Sequence, residues 1–192
     1  MVLSKASFAT RTTTTKNTSI KVKNAAGKVS FQMASKNLAS TIGEINKEET
    51  IHFFSNSEWS MPDLIDYITN QIGPCSLRLT SFSFTLPALV HIKNLIELRL
   101  INKVQFLIDK SVLHQQGKIQ QLKLMPIEVK LLKCHAKIIL LENENFKLVV
   151  VSSANINRNP RWEAGSIMTS KVAYDFYSNK YNEIWNNTPT TI

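Results

Sequence analysis

The chain has 192 residues, 43% of them hydrophobic, enough to bury one good core. Five Gly and six Pro exclude a low-complexity chain, and no apolar run approaches the roughly 20 residues of a membrane-spanning helix, so a soluble protein with no membrane partner is expected. Lys and Arg outnumber Asp and Glu by 23 to 14, a formal charge of +9, which favours a polyanionic partner, nucleic acid ahead of an anionic membrane surface. Composition leaves open the alternative of a scattered, solvated basic surface.

Residues 1–43 contain no acid; Glu44 is the first. Lys5, Arg11, Lys16, Lys21, Lys23, Lys28 and Lys36 make this stretch basic, and Thr12 to Thr15 form a threonine run. It lacks the continuous apolar core of a secretory signal. A transit peptide shares its composition, but 20–22 and 28–33 read as strands, so a basic arm leading into an edge hairpin is preferred. Residues 44–192 are expected to form the main domain.

From Glu49 onward strands and helices alternate. A short strand is expected over 50–55. Leu64, Ile65, Ile68 and Ile72 lie at helical spacing, with Pro62 near the start and Gly73-Pro74 as a stop, which predicts a helix over Met61–Ile72. A strand follows over 76–84, a helix over 86–98, a strand over 104–108 and a short helix over 119–124. Two apolar, branched segments at 134–141 and 146–151 flank Glu142-Asn143-Glu144-Asn145, which reads as a hairpin turn. A strand at 167–169 and an amphipathic helix over 172–185 complete the pattern. Such alternation predicts an α/β fold, a mixed β-sheet flanked by helices. Cys75 and Cys134 sit beside strands and read as buried free thiols of a reducing, cytoplasmic compartment; no C-x-x-C or His/Cys cluster marks a zinc site.

The hairpin holds the chemistry. His135-Ala136-Lys137 precedes the turn, and Ser152-Ser153-Ala154-Asn155 follows it. Side chains two apart on a strand share a face, so folding the hairpin would bring imidazole, ammonium, hydroxyl and amide to one sheet edge, a set suited to a phosphate group. His91-Ile92-Lys93 has the same spacing but falls within a helical pattern, where the two side chains diverge; it reads as helix surface. His52 and His114 have no evident partners.

The stretch from His135 to Gly165 resembles the H-x-K … S-x-N signature of the phospholipase D superfamily. Glu163 and Gly165 match its distal carboxylate and glycine, with seven residues between Asn155 and Glu163 and one between Glu163 and Gly165. The resemblance implies a phospholipase D-like domain over 44–192 and metal-independent phosphodiester hydrolysis without a cofactor. His135 would attack phosphorus, Glu163 would accept a hydrogen bond from its other ring nitrogen, and Lys137 and Asn155 would hold nonbridging oxygens. Ser153 would donate to the phosphate or orient Asn155. Arg158, Arg161 and Trp162 would contact backbone and base. Glu142 occupies the supporting carboxylate position, where the superfamily usually has Asp, and Ser152 replaces the usual Gly. The spacer before Ser152 is longer, and that from Asn155 to Glu163 shorter.

Two signature copies form one active site in this superfamily, whereas this chain has one, so the resemblance implies a homodimer with two facing His135 side chains. Nucleic acid, DNA before RNA, is the expected substrate. A silent DNA-binding protein on the same fold is the alternative, with a phospholipid headgroup hydrolase behind it.

Overall fold

The computed structural model describes residues 18–23, 29–33, 38–56, 59–157 and 161–189; for 18–23 and 29–33 it describes the backbone alone. Among the described residues nine strands form one sheet: β1 Thr18–Lys23, β2 Val29–Met33, β3 Glu49–Asn56, β4 Cys75–Ser81, β5 Ile101–Asp109, β6 Glu128–Leu132, β7 Ile138–Glu142, β8 Lys147–Ser152 and β9 Trp162–Met168. Their spatial order is β2-β1-β3-β9-β8-β7-β4-β5-β6. β4, β5 and β6 run parallel, and the remaining pairs are antiparallel. The helices are α1 Leu38–Thr41, α2 Met61–Ile72, α3 Leu86–Glu97, α4 Gln116–Lys123 and α5 Lys171–Asn187.

Parallel neighbours need crossovers, and α3 and α4 supply them. The apolar faces of α2 and α3 (Leu64, Ile65, Ile68; Leu89, Ile92, Leu95) pack on one side of the sheet with Phe53, Leu79, Phe106, Ile139, Val150 and Ile167. On the other side Tyr174 and Tyr181 of α5 pack on Leu107, Leu140 and Val149. The result is an α/β sandwich of three layers. α2 begins with a reciprocal capping box, in which Ser60 accepts from Asp63 N and Asp63 accepts from Ser60 N, and Gly73 ends it at φ 83°.

Several boundaries differ from expectation. β6 was not anticipated, although Val129 and Leu131 alternate with Glu128, Lys130 and Leu132 and are buried. β9 starts at Trp162 rather than 167 because its ladder runs with β3 from Asn56↔Trp162 to Thr50↔Met168. A larger correction concerns the hairpin. His135 and Lys137 lie before β7 begins, and Ser153 and Asn155 lie after β8 ends, so strand alternation does not align them. The ladder stops because the Thr80 side chain takes the place of a backbone partner: its hydroxyl donates to Ala136 O (3.0 Å) and accepts from Ile138 N (3.0 Å).

Strand directions decide where these residues go. β3, β4, β5, β6 and β8 all end, and β7 and β9 begin, at the same edge of the sheet. That edge gathers His135, Lys137, Ser153, Asn155 and Glu163 from three separate segments. Among the described residues no helix is long and apolar enough to cross a membrane.

Candidate active site

The segment carrying His135 is held from both sides. Cys134 N donates to Asp109 Oδ2 at 2.8 Å, and Ser111 N donates to Asp109 Oδ1 at 2.9 Å. Thr80 fixes the peptide groups on either side of Lys137. Burial works against the charge of Asp109, but the N–H groups of Cys134 and Ser111, with Lys110 nearby, outweigh it and lower its pKa. An ionised acceptor thus anchors the residue immediately before His135.

The His135 ring is exposed and lies 5.1 Å from the Phe82 ring, centroid to centroid, at 51°. Lys137 Nζ donates to His135 O at 2.7 Å and stands 3.3 Å from His135 Nδ1. Burial pushes the Lys137 ammonium down, while the neighbouring Cys134 and Glu163 oppose that shift. Glu163 is therefore close enough to act on Lys137.

Glu163 makes a different contact from the one expected. Its Oε2 accepts from Ser153 Oγ, which in turn accepts from Ala164 N at 3.0 Å. No hydrogen bond joins Glu163 to His135 among the described residues. Ser153, a candidate phosphate donor, spends its proton on Glu163. Asn155 turns its Oδ1 toward Ser81 Oγ (3.3 Å), and the buried Ser81 also accepts from Ile156 N at 3.2 Å. With the amide oxygen so placed, the Asn155 NH₂ group is the part able to donate to a ligand.

Gly165 explains itself sterically. A Cβ there would lie 2.8 Å from Val151 O and would collide with the Phe53 ring, so only glycine lets β9 close on β8 and β3 at this point. One residue on, Ser166 Oγ contacts His52 Nδ1 at 2.7 Å, a correction to the expectation that His52 is without a partner. His91, by contrast, is the helix-surface residue anticipated, with Asp63 and Asp66 at 3.9 and 3.6 Å.

Glu142 stands at the far end of β7, away from this cluster. It accepts from Tyr174 OH (2.7 Å) and pairs with Arg78 (3.4 Å) and Lys147 (3.3 Å). Trp162 is exposed and stacks on Phe54 with centroids 5.0 Å apart. Arg161 is exposed, and Arg158 lies outside the described residues.

Thr80, Ser81, Phe82 and Asp109 were not anticipated. The available signal was their position: polar or exposed residues that close apolar strands at the edge where the signature sits. Charge is also uneven. Lys110, Lys118, Lys133, Lys137 and Arg161 lie at this edge, and none forms an ion pair with a described carboxylate, whereas Lys93, Lys103, Lys147, Lys171 and Lys180 all do elsewhere. Among the described residues no cluster of three or more His, Cys, Asp or Glu is placed to hold a metal ion.

No protein-family profile and no curated protein matches the chain. Solved structures do. NucT from Helicobacter pylori superposes with a TM-score of 0.57 at 19% identity, over 74% of this chain and 99% of that one. Nuc from Salmonella typhimurium, a phospholipase D family member, gives 0.55 at 17% identity, over 74% of this chain and 97% of that one. TrmBL2, an archaeal chromatin protein with a novel mode of DNA binding, gives 0.50 at 13% identity, over 73% of this chain and 54% of that one. At these identities the likeness is one of fold. The chain has the phospholipase D-like fold, and His135, Lys137, Ser153, Asn155 and Glu163 stand together at one end of the sheet, with Glu142 at the other.

Proposed function

We propose that the protein is a nuclease that hydrolyses nucleic-acid phosphodiesters through a phosphohistidine at His135, acting as a homodimer without metal. The observation that carries this reading is the convergence of His135, Lys137, Ser153, Asn155 and Glu163 at one sheet edge, among cations that form no ion pair with a described carboxylate. A phosphodiester is the ligand whose charge and oxygens such a site complements.

In the first step a ring nitrogen of His135 forms a bond to phosphorus as the bond to the leaving oxygen breaks. Lys137 and the Asn155 amide stabilise charge on the nonbridging oxygens. The leaving alkoxide needs a proton, and the partner copy's histidine across a two-fold axis supplies it. That histidine, now neutral, removes a proton from water; the water oxygen bonds to phosphorus and the P–N bond breaks, restoring both rings. In the free enzyme the Lys137 ammonium faces Nδ1 of His135. An arriving phosphate competes for that ammonium; once Nδ1 no longer accepts from Lys137, the ring takes the tautomer in which the proton has left Nε2 through solvent and sits on Nδ1, and that N–H can be donated to Glu163, which would then offset the charge developing on the ring.

The test is digestion of single- and double-stranded DNA and of RNA in EDTA, with His135→Ala beside the wild type. Protein is quenched in alkaline denaturant, since a P–N bond is acid-labile, and assayed for covalently bound phosphate. Cleavage that survives chelation, stops in the variant and leaves a histidine adduct is expected. A strict need for divalent metal would overturn the mechanism. Light scattering should give a dimer, and a monomer active at all dilutions would remove the shared two-histidine site. Tight binding with no turnover would favour the silent DNA-binding reading, which the likeness to TrmBL2 supports.

A further inference from the structure

The substrate has bases as well as phosphates, and the site edge carries exposed aromatic rings. Phe82 closes β4, is 38% exposed and shares its contact with the His135 ring. Trp162 opens β9 and is 44% exposed. β8 and β7 lie between these strands in the sheet; Ser153 and Asn155 follow β8, and His135 and Lys137 precede β7, at this same edge. With neighbouring strands ~4.8 Å apart, three steps place β4 and β9 about 14 Å apart, with the phosphate site between them. Past Phe82 the same edge continues through Lys110 and Lys133, which close β5 and β6.

Exposed apolar residues occur elsewhere on the molecule, Phe176 at 69% among them; Phe82 and Trp162 differ in standing at the edge that carries the site. The sequence along the edge is therefore ring, phosphate ligands, ring, cations. We infer that Phe82 is a base-stacking platform which, with Trp162 on the opposite side of the phosphate site, selects single-stranded nucleic acid.

The reason lies in the substrate. In a duplex each base has both faces covered by its neighbours, so a protein ring gains no stacking partner unless a base is unstacked first. An unpaired strand offers its base faces directly, and cations along the groove then follow its backbone. Phe82 also buttresses the His135 ring, so one side chain would couple recognition of a flanking base to the placement of the reacting imidazole.

This inference rests on the nucleic-acid reading above, and its test separates the two. Binding of fluorescein-labelled oligothymidylate and of a hairpin duplex with the same number of phosphates is measured by anisotropy at one salt concentration. His135→Asn protein is used so that nothing is cleaved, and turnover of the same oligonucleotides is measured with His135 intact. Phe82→Leu keeps apolar bulk but has no π face, and Phe82→Tyr restores one. We expect Phe82→Leu to weaken single-strand binding about tenfold, with Phe82→Tyr near the parent and duplex binding unchanged. Replacing the bases by abasic spacers should remove the difference between Leu and Phe. Equal losses on single strand and duplex, or no loss on either, would overturn the stacking role, even if turnover proves the nuclease correct. A selective loss without turnover in any His135 protein would keep the platform and sink the nuclease.

Discussion

The two ends of β7 hold similar groups in opposite states. At the far end Arg78 has four partners: Nη2 lies in hydrogen-bonding reach of Tyr174 OH (2.6 Å), Ser178 Oγ (3.0 Å) and Glu142 Oε2 (3.4 Å), and Nη1 donates to Asn182 Oδ1 (2.7 Å). Tyr174 lies between that guanidinium and the Glu142 carboxylate, and Lys147 closes the set. At the near end Lys137 donates only to the carbonyl and ring of His135, and the surrounding cations form no ion pair with a described carboxylate. A part-buried cluster whose members bond to one another holds α5 to the sheet. A half-exposed one with spare donors has capacity left for a ligand. The signature-like run from His135 to Glu142 straddles both, so its residues do not share one job.

Removing His135 should sharpen the contrast most. His135→Ala is expected to lower cleavage by at least about a thousandfold, since it takes away the attacking atom, while leaving the melting temperature unchanged because the ring is exposed. A melting temperature that falls with activity would mean that the near end is structural too. Glu163→Gln comes next: an amide still meets Ser153 but cannot offset charge on the ring, and turnover should slow by roughly a hundredfold with affinity retained. Wild-type turnover in this variant would restrict Glu163 to holding Ser153.

The far end should respond in the opposite sense. Glu142→Ala strands the largely buried Arg78 beside Tyr174 and is expected to cost about 2 kcal/mol, read as a lower denaturant midpoint, with the rate per folded molecule unaltered. A slowed rate in the folded fraction would tie Glu142 to the chemistry. The same group gives the comparison a pH axis. Burial opposes the Glu142 charge, but Tyr174, Lys147 and Arg78 outweigh it and depress its pKa. Its stabilisation is therefore present at neutral pH and is lost as pH falls from about 4 downward, and Glu142→Gln should flatten that acid limb of the stability curve. The smallest effect concerns single cations. Lys133→Ala should weaken DNA binding a few-fold and reduce the slope of log K against log salt by about 1, whereas Lys93→Ala, which loses a pair with Glu97, should change neither. Equal slopes for the two would show that unpaired charge at the edge does not mark the backbone path.

Local chemistry made much of this legible beforehand. The apolar spacing of Leu64, Ile65 and Ile68, closed by Gly73, specified α2 to the residue, because helix period and stop signals are properties of neighbours in the chain. His135, Lys137, Ser153, Asn155 and Glu163 could be singled out because their types and order resemble a known signature. How they meet was decided elsewhere. The edge that collects them is fixed by the direction of seven strands, a long-range property that no short window of sequence contains. Thr80 and Asp109 hold the His135 segment from β4 and β5, 56 residues away for Thr80 to Ala136 and 25 for Asp109 to Cys134. Only packing could assign Glu142 to Arg78 and Tyr174, Ser153 to Glu163 and Phe82 to the face of His135, since each contact depends on which elements lie next to one another.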